Sequence, residues 1–562
     1  MDEAPVASST SQPDEEWMSD YERLVRKVNT RCVFHNGLPL IGRVALTDNQ
    51  HMTTGLRIRR TPRNPPTWDA YKAAVRREDR DSLLTRCAEA TAAIGRGEVA
   101  DELKALGLVD WNVADVARTA LAWGGFQRPE ADGETLLKLC NMNALLIDEG
   151  EAERPDPSDR LAHLLPRMIF EQFPRQRSPY GLIARTLLLF GSASELPPDF
   201  TPKAMAPGWF ESITGLTLDE YVESIFIIWT ETQRRNGAFS LDWLDGPGYT
   251  GLEHVFSFDA LRKTFTEHLL TTPDEFKTVN RRWQDRATSP QKKFAFNPLV
   301  NRPFIEGVAE FPIAPWVQAI VGKASPASIY HLGFEKLGKG FPDELGHVFQ
   351  HYVGRQLALI EQPREVIPEL RYGPAHSSID SSDWFLDLPD LLVLIDCKSR
   401  QPIESLRIGS AAWIESIADS TGHGIKQLNE SHRNLDSIAA LNPRIDPNKP
   451  RVGLVVTMEP FYINENWFVR ERLIEAEFPI GVISAGELES LVMLSPYELA
   501  QALREASEAA EDNIMLLTQA LDAAQGRENS LIVSTFDSIK LIARTASEAE
   551  RLRGEDDSSP KN

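Results

Sequence analysis

The sequence predicts an α+β multidomain protein: a mostly helical N-terminal half, an αβββαβ core and C-terminal helices. Three observations predict it. The chain has 562 residues, enough for two to four domains with ample core. Helical spacing and capping-box signatures dominate residues 16–290,. Between 340 and 460 an amphipathic helix precedes a run of short apolar strands.

Taken in order, residues 1–15 are acidic and polar. That composition predicts disorder and does not resemble a signal peptide. Cys32 to Leu46 reads as a small hairpin turning at Asn36-Gly37,. Ser178-Pro179 opens a helix that ends in Leu187-Leu-Leu-Phe190. Thr217-Leu-Asp-Glu220 and Thr272-Pro-Asp-Glu275 are capping boxes, in which the first and last side chains satisfy each other's backbone amides,. Ser289-Pro290 through Pro303, with Pro312 and Pro315, mark a boundary,. The expected domains are therefore 16–290 (helical), 291–495 (the αβββαβ core) and 496–550 (C-terminal helices), with an acidic disordered tail at 551–562. Ser495-Pro-Tyr-Glu498 starts an Ala- and Glu-rich helix expected to run to about Gln525, and a second helix follows,. These last helices suit packing or homo-oligomer contacts.

Within the core, residues 341–357 read as an amphipathic helix with Pro342 near its start,. Strands are expected at 365–372, 379–387 and 391–398. Helical segments follow over 408–440, interrupted at Thr421-Gly-His-Gly424, and Arg451 to Met458 is a further apolar strand.

The chemistry centres on residues 381–400. Leu391 to Ile395 is an unbroken apolar run, suited to a strand buried on both faces,. Pro389-Asp390 before it suits the centre of a type I turn, and a slightly longer loop is compatible,. A turn centred between 389 and 390 puts Asp383 opposite Asp396, with Cβ atoms about 5 Å apart,. Lys398 shares that face because strand side chains repeat every second residue. A one-residue slip would send Asp383 to the other side. Two carboxylates so close repel unless a cation lies between them. Mg²⁺ or Mn²⁺ would fill that role, since such ions take one or two carboxylates plus water and phosphate oxygens. The lysine adds a compact charge beside the reacting phosphate. Acid-x-Lys also occurs at Glu102-Leu-Lys104 and Glu275-Phe-Lys277, in polar helical contexts. Only Asp396-Cys-Lys398 ends a buried strand. The bland alternative is a strand ending in surface charge, with the lysine paired to an aspartate.

These residues, in this order of elements, resemble the PD-(D/E)xK (restriction-endonuclease-like) nuclease superfamily over residues 295–495. The resemblance implies a helix, a three-stranded meander carrying the site, a second helix and another strand. It implies that Asp383 and Asp396, with the backbone carbonyl of Cys397, hold Mg²⁺ or Mn²⁺, and that Lys398 is the catalytic lysine. Gln427, in Gly424-Ile-Lys-Gln-Leu428, matches a supporting polar position, and Lys426 is a phosphate contact; both otherwise read as solvated helix polarity. Two departures stand out. Ser382, not proline, precedes Asp383, and the literal Pro389-Asp390 lies roughly 20 Å along the strand from Asp396. On the first helix the aligned position is Gln350, with Glu344 as the available acid; either completes the outer part of the site. The implied function is hydrolysis of phosphodiester bonds, in DNA rather than RNA, in bacterial defence or DNA processing. A catalytically silent relative that binds nucleic acid or protein is the second reading. A partner-binding scaffold built on the helical half is the third.

Formal net charge is −22. That excludes a nucleic-acid coat protein but not a nuclease with a local basic groove. Arg57-Ile-Arg-Arg60 with Arg63, and Asn280 to Arg286 with Lys292-Lys293, are the basic candidates. Trp283 could stack on a base, and solvated polarity is the plain alternative. No apolar run approaches the ~18 residues of a transmembrane helix, so no membrane partner is expected. Cys32, Cys87, Cys140 and Cys397 are scattered without a CxxC pair, as in a reducing cytoplasm, and Cys397 reads as a packing residue,. His347 and His351 lack the glutamate of a zinc-protease helix and read as a polar flank,.

Overall fold

The structure is a computed structural model that describes residues 66–146, 179–197, 200–246, 252, 254–286, 295–374, 376, 378–399, 413–460 and 474–544. The expected hairpin at 32–46, the basic segments at 57–63 and 292–293, the Ser289-Pro290 boundary and the two disordered termini lie outside the described residues.

Two compact units are present. One comprises Met1–Pro155, Ile227–Trp243 and Phe265–Ile320; the other comprises Asp156–Phe226, Leu244–Thr264 and Val321–Asn562. The boundaries expected at 290 and 495 do not coincide with these units. Packing partners explain the difference. The helix Pro179–Phe190 brings Arg185 to Glu489, and Glu489 also accepts from the hydroxyl of Tyr352 in the core. A buried charge pair this well hydrogen-bonded ties segments far apart in sequence into one body.

The first unit is helical. It contains α1 (Trp68–Val75), α2 (Arg80–Gly95), α3 (Asp110–Trp123), α4 (Gly133–Ala144) and α5 (Pro273–Arg286). Thr67, Asp79 and Asp132 cap the first, second and fourth with their side-chain oxygens,. Leu83, Leu84, Val113, Val116 and Leu136 are fully buried between these helices. The capping box at Thr272 and Glu275 forms as expected at the start of α5. Trp283 does not stand free for stacking, because its ring packs on Phe296 at 5.0 Å between centroids.

The second unit carries the sheet. In chain order its strands are β1 (Glu365–Pro368), β2 (Arg371–Tyr372), β3 (Ile379–Asp380), β4 (Trp384–Leu388), β5 (Leu391–Lys398), β6 (Arg451–Thr457) and β7 (Ile480–Ser484). Five of them form a mixed sheet in the order β1-β4-β5-β6-β7. The β1-β4 and β4-β5 pairs are antiparallel; β5-β6 and β6-β7 are parallel. The first two expected strands are each divided: β2 and β3 pair only with each other, in a separate two-stranded ribbon. Glu369 and Leu370 break the first, and residues 381–383 break the second. Strand β7 was not foreseen; its run Ile480-Gly-Val-Ile-Ser484 is short, with a glycine inside.

Helices α6 (Gly340–Leu357) and α7 (Trp413–Arg433) flank β5. Helix α6 matches the expected span almost residue for residue. Helix α7 runs unbroken through Thr421-Gly-His-Gly424, where an interruption was expected. Those glycines serve packing rather than a break. A Cβ at Gly424 would lie 2.9 Å from both Asp396 Oδ2 and Val455. Beyond the core, the expected long helix to 525 is two helices, Pro496–Glu508 and Thr518–Ala524. Between them Asp512 and Asn513 take positive φ angles of 51° and 58°, which a helix cannot continue through,.

Helix α6 meets the sheet through one tight notch. The indole of Trp384 donates to the Gln350 carbonyl at 2.9 Å, and a Cβ at Gly354 would come within 2.2 Å of the same ring. Alanine usually stabilises a helix interior relative to glycine. Here Gly354→Ala is expected to lower stability by about 1–3 kcal/mol through overpacking. Urea unfolding checks the sign; an increase in stability would show that Trp384 has room to move.

Candidate active site

The hairpin folds in the register that the turn position demands. Leu388 pairs with Leu391 across Pro389-Asp390, and the ladder continues to Trp384 and Ile395. Asp383 lies just beyond the last pair, where the same register points it towards Asp396, and its charge acts on that residue. Residues 391–396 are all buried, as an apolar strand covered on both faces should be. Leu392 and Leu394 pack with Ile425 and Leu428 of α7, and strand alternation puts Asp396 on that same face,.

Asp396 has no solvent exposure. Lys398 Nζ lies 2.6 Å from its Oδ2 as an ion pair. Apart from Lys398, no donor reaches either carboxylate oxygen among the described residues. Burial therefore dominates and pushes the Asp396 carboxyl up to about 8; the Asp383 charge pushes the same way, while Lys398 pulls it down,. Lys398 also donates to Gln427 Oε1 of α7 at 2.6 Å. Gln427 thus touches the ammonium group that also pairs with Asp396.

Asp383 is half-buried, and its Oδ2 accepts from the Cys397 amide at 2.6 Å. Burial raises its pKa, with the Cys397 amide and Lys398 opposing. Beside it, the Ser382 amide donates to Ser431 Oγ of α7 at 2.8 Å. A proline at 382 has no N–H to make that bond.

A third carboxylate was missed by sequence reasoning. Strand β1 pairs with β4 so that Pro368 faces Trp384. The printed pairing ends there, and Glu369 lies beyond it, close enough to Asp383 and Asp396 for their charges to act on one another. Three carboxylates thus form a short row where these strands end, with Asp383 the strongest charged neighbour of Glu369. Burial, then Asp383, raises the Glu369 carboxyl to about 7, and a hydrogen bond from the Gln350 side chain opposes this. The residue keeps substantial solvent access, so water moderates that shift,. The signal that could have found it was the ladder register, hidden because residues 365–372 read as one continuous strand.

Two other expectations resolve differently. Glu344 does not join the cluster. Its carboxylate accepts from the amides of Lys203, Ala204 and Met205 at 2.7, 2.9 and 2.7 Å, which fixes that loop. Gln350 reaches Glu369 rather than the two aspartates. His347 stacks on Phe200 at 4.8 Å between centroids and lies near enough to Asp383 to favour its charged form. Lys426 is exposed on the outer side of α7.

Among the described residues, no three His, Cys, Asp or Glu side chains converge on one metal position. A cavity of about 650 Å³ elsewhere in this unit is lined by Tyr180, Arg185, Glu489 and Phe536 among others, and none of the three acids lines it. Protein-family models, curated proteins and solved structures were compared with the chain, and none matches.

The raised carboxyl at Asp396 has a measurable sign. Its folded pKa of about 8 exceeds the ordinary 3.8, so the folded protein holds the proton more tightly than the unfolded chain,. That contribution to stability is complete below the ordinary value and declines as pH rises towards 8. Metal-free protein is expected to lose stability between about pH 5 and 8, and Asp396→Asn to flatten the slope. Thermal unfolding across that range in a chelator checks it; identical slopes for both proteins would refute the buried-acid description.

Proposed function

We propose that the chain is a divalent-metal-dependent nuclease that hydrolyses phosphodiester bonds, with DNA as its substrate. The observation that carries this reading is Asp396: a fully buried carboxyl close to a second aspartate, whose one partner among the described residues is the Lys398 ammonium. A buried carboxylate is costly unless cations answer it, and a divalent ion would add to what Lys398 supplies. The element order also supports it. A helix, a three-stranded antiparallel meander, a second helix and a parallel strand follow one another, as the restriction-endonuclease-like resemblance implies.

The donor set suits Mg²⁺ or Mn²⁺, which need only one or two carboxylates when water and substrate phosphate supply the rest. Asp383 and Asp396 would hold the ion. The Cys397 amide points to Asp383, and in an antiparallel ladder a residue's N–H and C=O face the same neighbour, so the Cys397 carbonyl is available on that side,. The ion, when bound, would acidify water and neutralise charge on the phosphate. It would also compete with Lys398 for Asp396. Gln427 keeps the freed ammonium beside the site, where it would orient the attacking water or stabilise the developing negative charge,. Glu369, with Gln350 donating to it, stands at the solvent end of the row and could accept a proton from that water,.

One observation favours a catalytically silent binding module instead: Gln350 and Glu344 supply no third ligand to the aspartate pair. Defence against foreign DNA as the biological setting follows only by analogy of fold.

Plasmid nicking in Mg²⁺ or Mn²⁺ tests the enzyme reading. Asp396→Asn and Lys398→Ala are each expected to reduce cleavage by about 10²-fold or more while circular dichroism stays unchanged. Equal cleavage by wild type and both variants would refute the assignment. Metal binding without any cleavage by wild type would select the silent module. A second expectation concerns position: Gln427→Ala should lower the rate by less than Lys398→Ala and shift its pH dependence, because it loosens the ammonium without removing it.

A further inference from the structure

We propose that Phe126, on the helical unit, is a stacking platform for an unpaired base of a single-stranded polynucleotide, backed on one side by the buried Arg80 and with Arg128 and Lys277 as the cations beside it. The ring is 57% exposed, although the unit has an extensive apolar core in which a phenylalanine could be buried. It sits in the loop Gly124-Gly-Phe-Gln-Arg-Pro129 that follows α3. That loop is held at both ends. The Arg80 amide donates to the Gly125 carbonyl, and the Asp79 amide to the Pro129 carbonyl, each at 2.9 Å. The ring is therefore presented by a pinned loop rather than by a fraying one.

The charges around the ring are placed by the same loop. The Arg80 guanidinium lies 4.3 Å from the Phe126 ring centre, and Lys277 Nζ of α5 lies 5.9 Å from it. Both neighbouring glycines make room for arginine stems. A Cβ at Gly124 would come within 2.9 Å of the Arg80 side chain, and one at Gly125 within 2.8 Å of that of Arg128. Arg80 is paired with Asp81, and Lys277 lies 3.9 Å from Asp274, so these two are partly neutralised. Arg128 is exposed and has no ion-pair partner among the described residues. In a chain of net charge −22, an exposed arginine without an ion-pair partner among the described residues, two positions from an outward-facing ring, is a local exception,.

A single strand offers the matching chemistry. Its bases have π-faces that stack on an aromatic ring, and its phosphates seek cations beside that ring. A duplex keeps its bases stacked within itself and cannot use the ring in this way. An acidic peptide would use the cations and leave the ring with little to do. The proposal stands apart from the cleavage reading, since it needs no metal and none of the three acids.

The test uses the full chain in a chelator at low salt, with fluorescence anisotropy of labelled oligothymidylate, oligouridylate and a DNA duplex. Wild type is expected to bind at least one of the single strands more tightly than the duplex, and the tighter of the two names the sugar it prefers. Phe126→Ala should weaken binding by about 10-fold, within the range for losing one stacked base, and Phe126→Trp should retain it. Arg128→Glu should weaken binding and reduce its salt dependence by about one phosphate contact. Tyr497→Ala, which removes another exposed ring (62%), should change nothing. No binding of either strand by wild type, equal binding by Phe126→Ala, or a duplex preference would each overturn the proposal. Because metal is absent, any of these leaves the nicking result to stand or fall by itself.

Discussion

A carboxylate with no exposed surface has to be answered by positive charge, and Asp396 makes that demand on everything around it. It is the last fully buried residue of β5, under a helix that approaches within contact of its oxygen. Lys398 supplies an ammonium two residues along the same face, and Gln427 holds that ammonium in reach. Most of the second unit's architecture can be read as the means of keeping this arrangement intact. The parallel pairing with β6 fixes the strand from one side, the hairpin with β4 fixes it from the other, and α7 closes the face.

The helices obey a related rule. Each approaches the sheet at a residue without a side chain. Gly354 receives the Trp384 ring, and Gly424 lets α7 lie directly on Asp396 and Val455. Close approach has a chemical consequence, because it removes water from Asp396 and so raises its affinity for a proton or a cation. The glycines of Thr421-Gly-His-Gly424 look like a helix break only when the neighbouring strand is out of view. Ser382 is a similar case: its amide is committed to Ser431, which a proline could not provide.

The helical unit handles charge in the opposite manner. Its interior buries Arg118 completely, paired with Asp115 at 3.0 Å, while its surface leaves Arg128 unpaired beside an exposed ring. Affinity for a polyanion in an acidic chain has to come from such local concentrations of cations rather than from the total.

The sequence alone determined the hairpin, its register, the helix before it, the capping boxes and the strand after it. Each follows from rules that act over a few residues: turn chemistry at Pro389-Asp390, alternation along a strand, caps at Thr217, Thr272 and Ser495. The same local rules set Lys398 on the face of Asp396,. Tertiary structure decided what local rules cannot reach. It sent Glu344 to the amides of residues 203–205, turned Trp283 onto Phe296, and divided the first expected strand so that Glu369 joined the row. It also drew distant segments into units that no boundary signal marks. The physical reason is the same in each case: a hydrogen-bond acceptor, an aromatic face or an apolar helix side takes whichever partner the fold brings near, and nothing in the local sequence encodes which one that is.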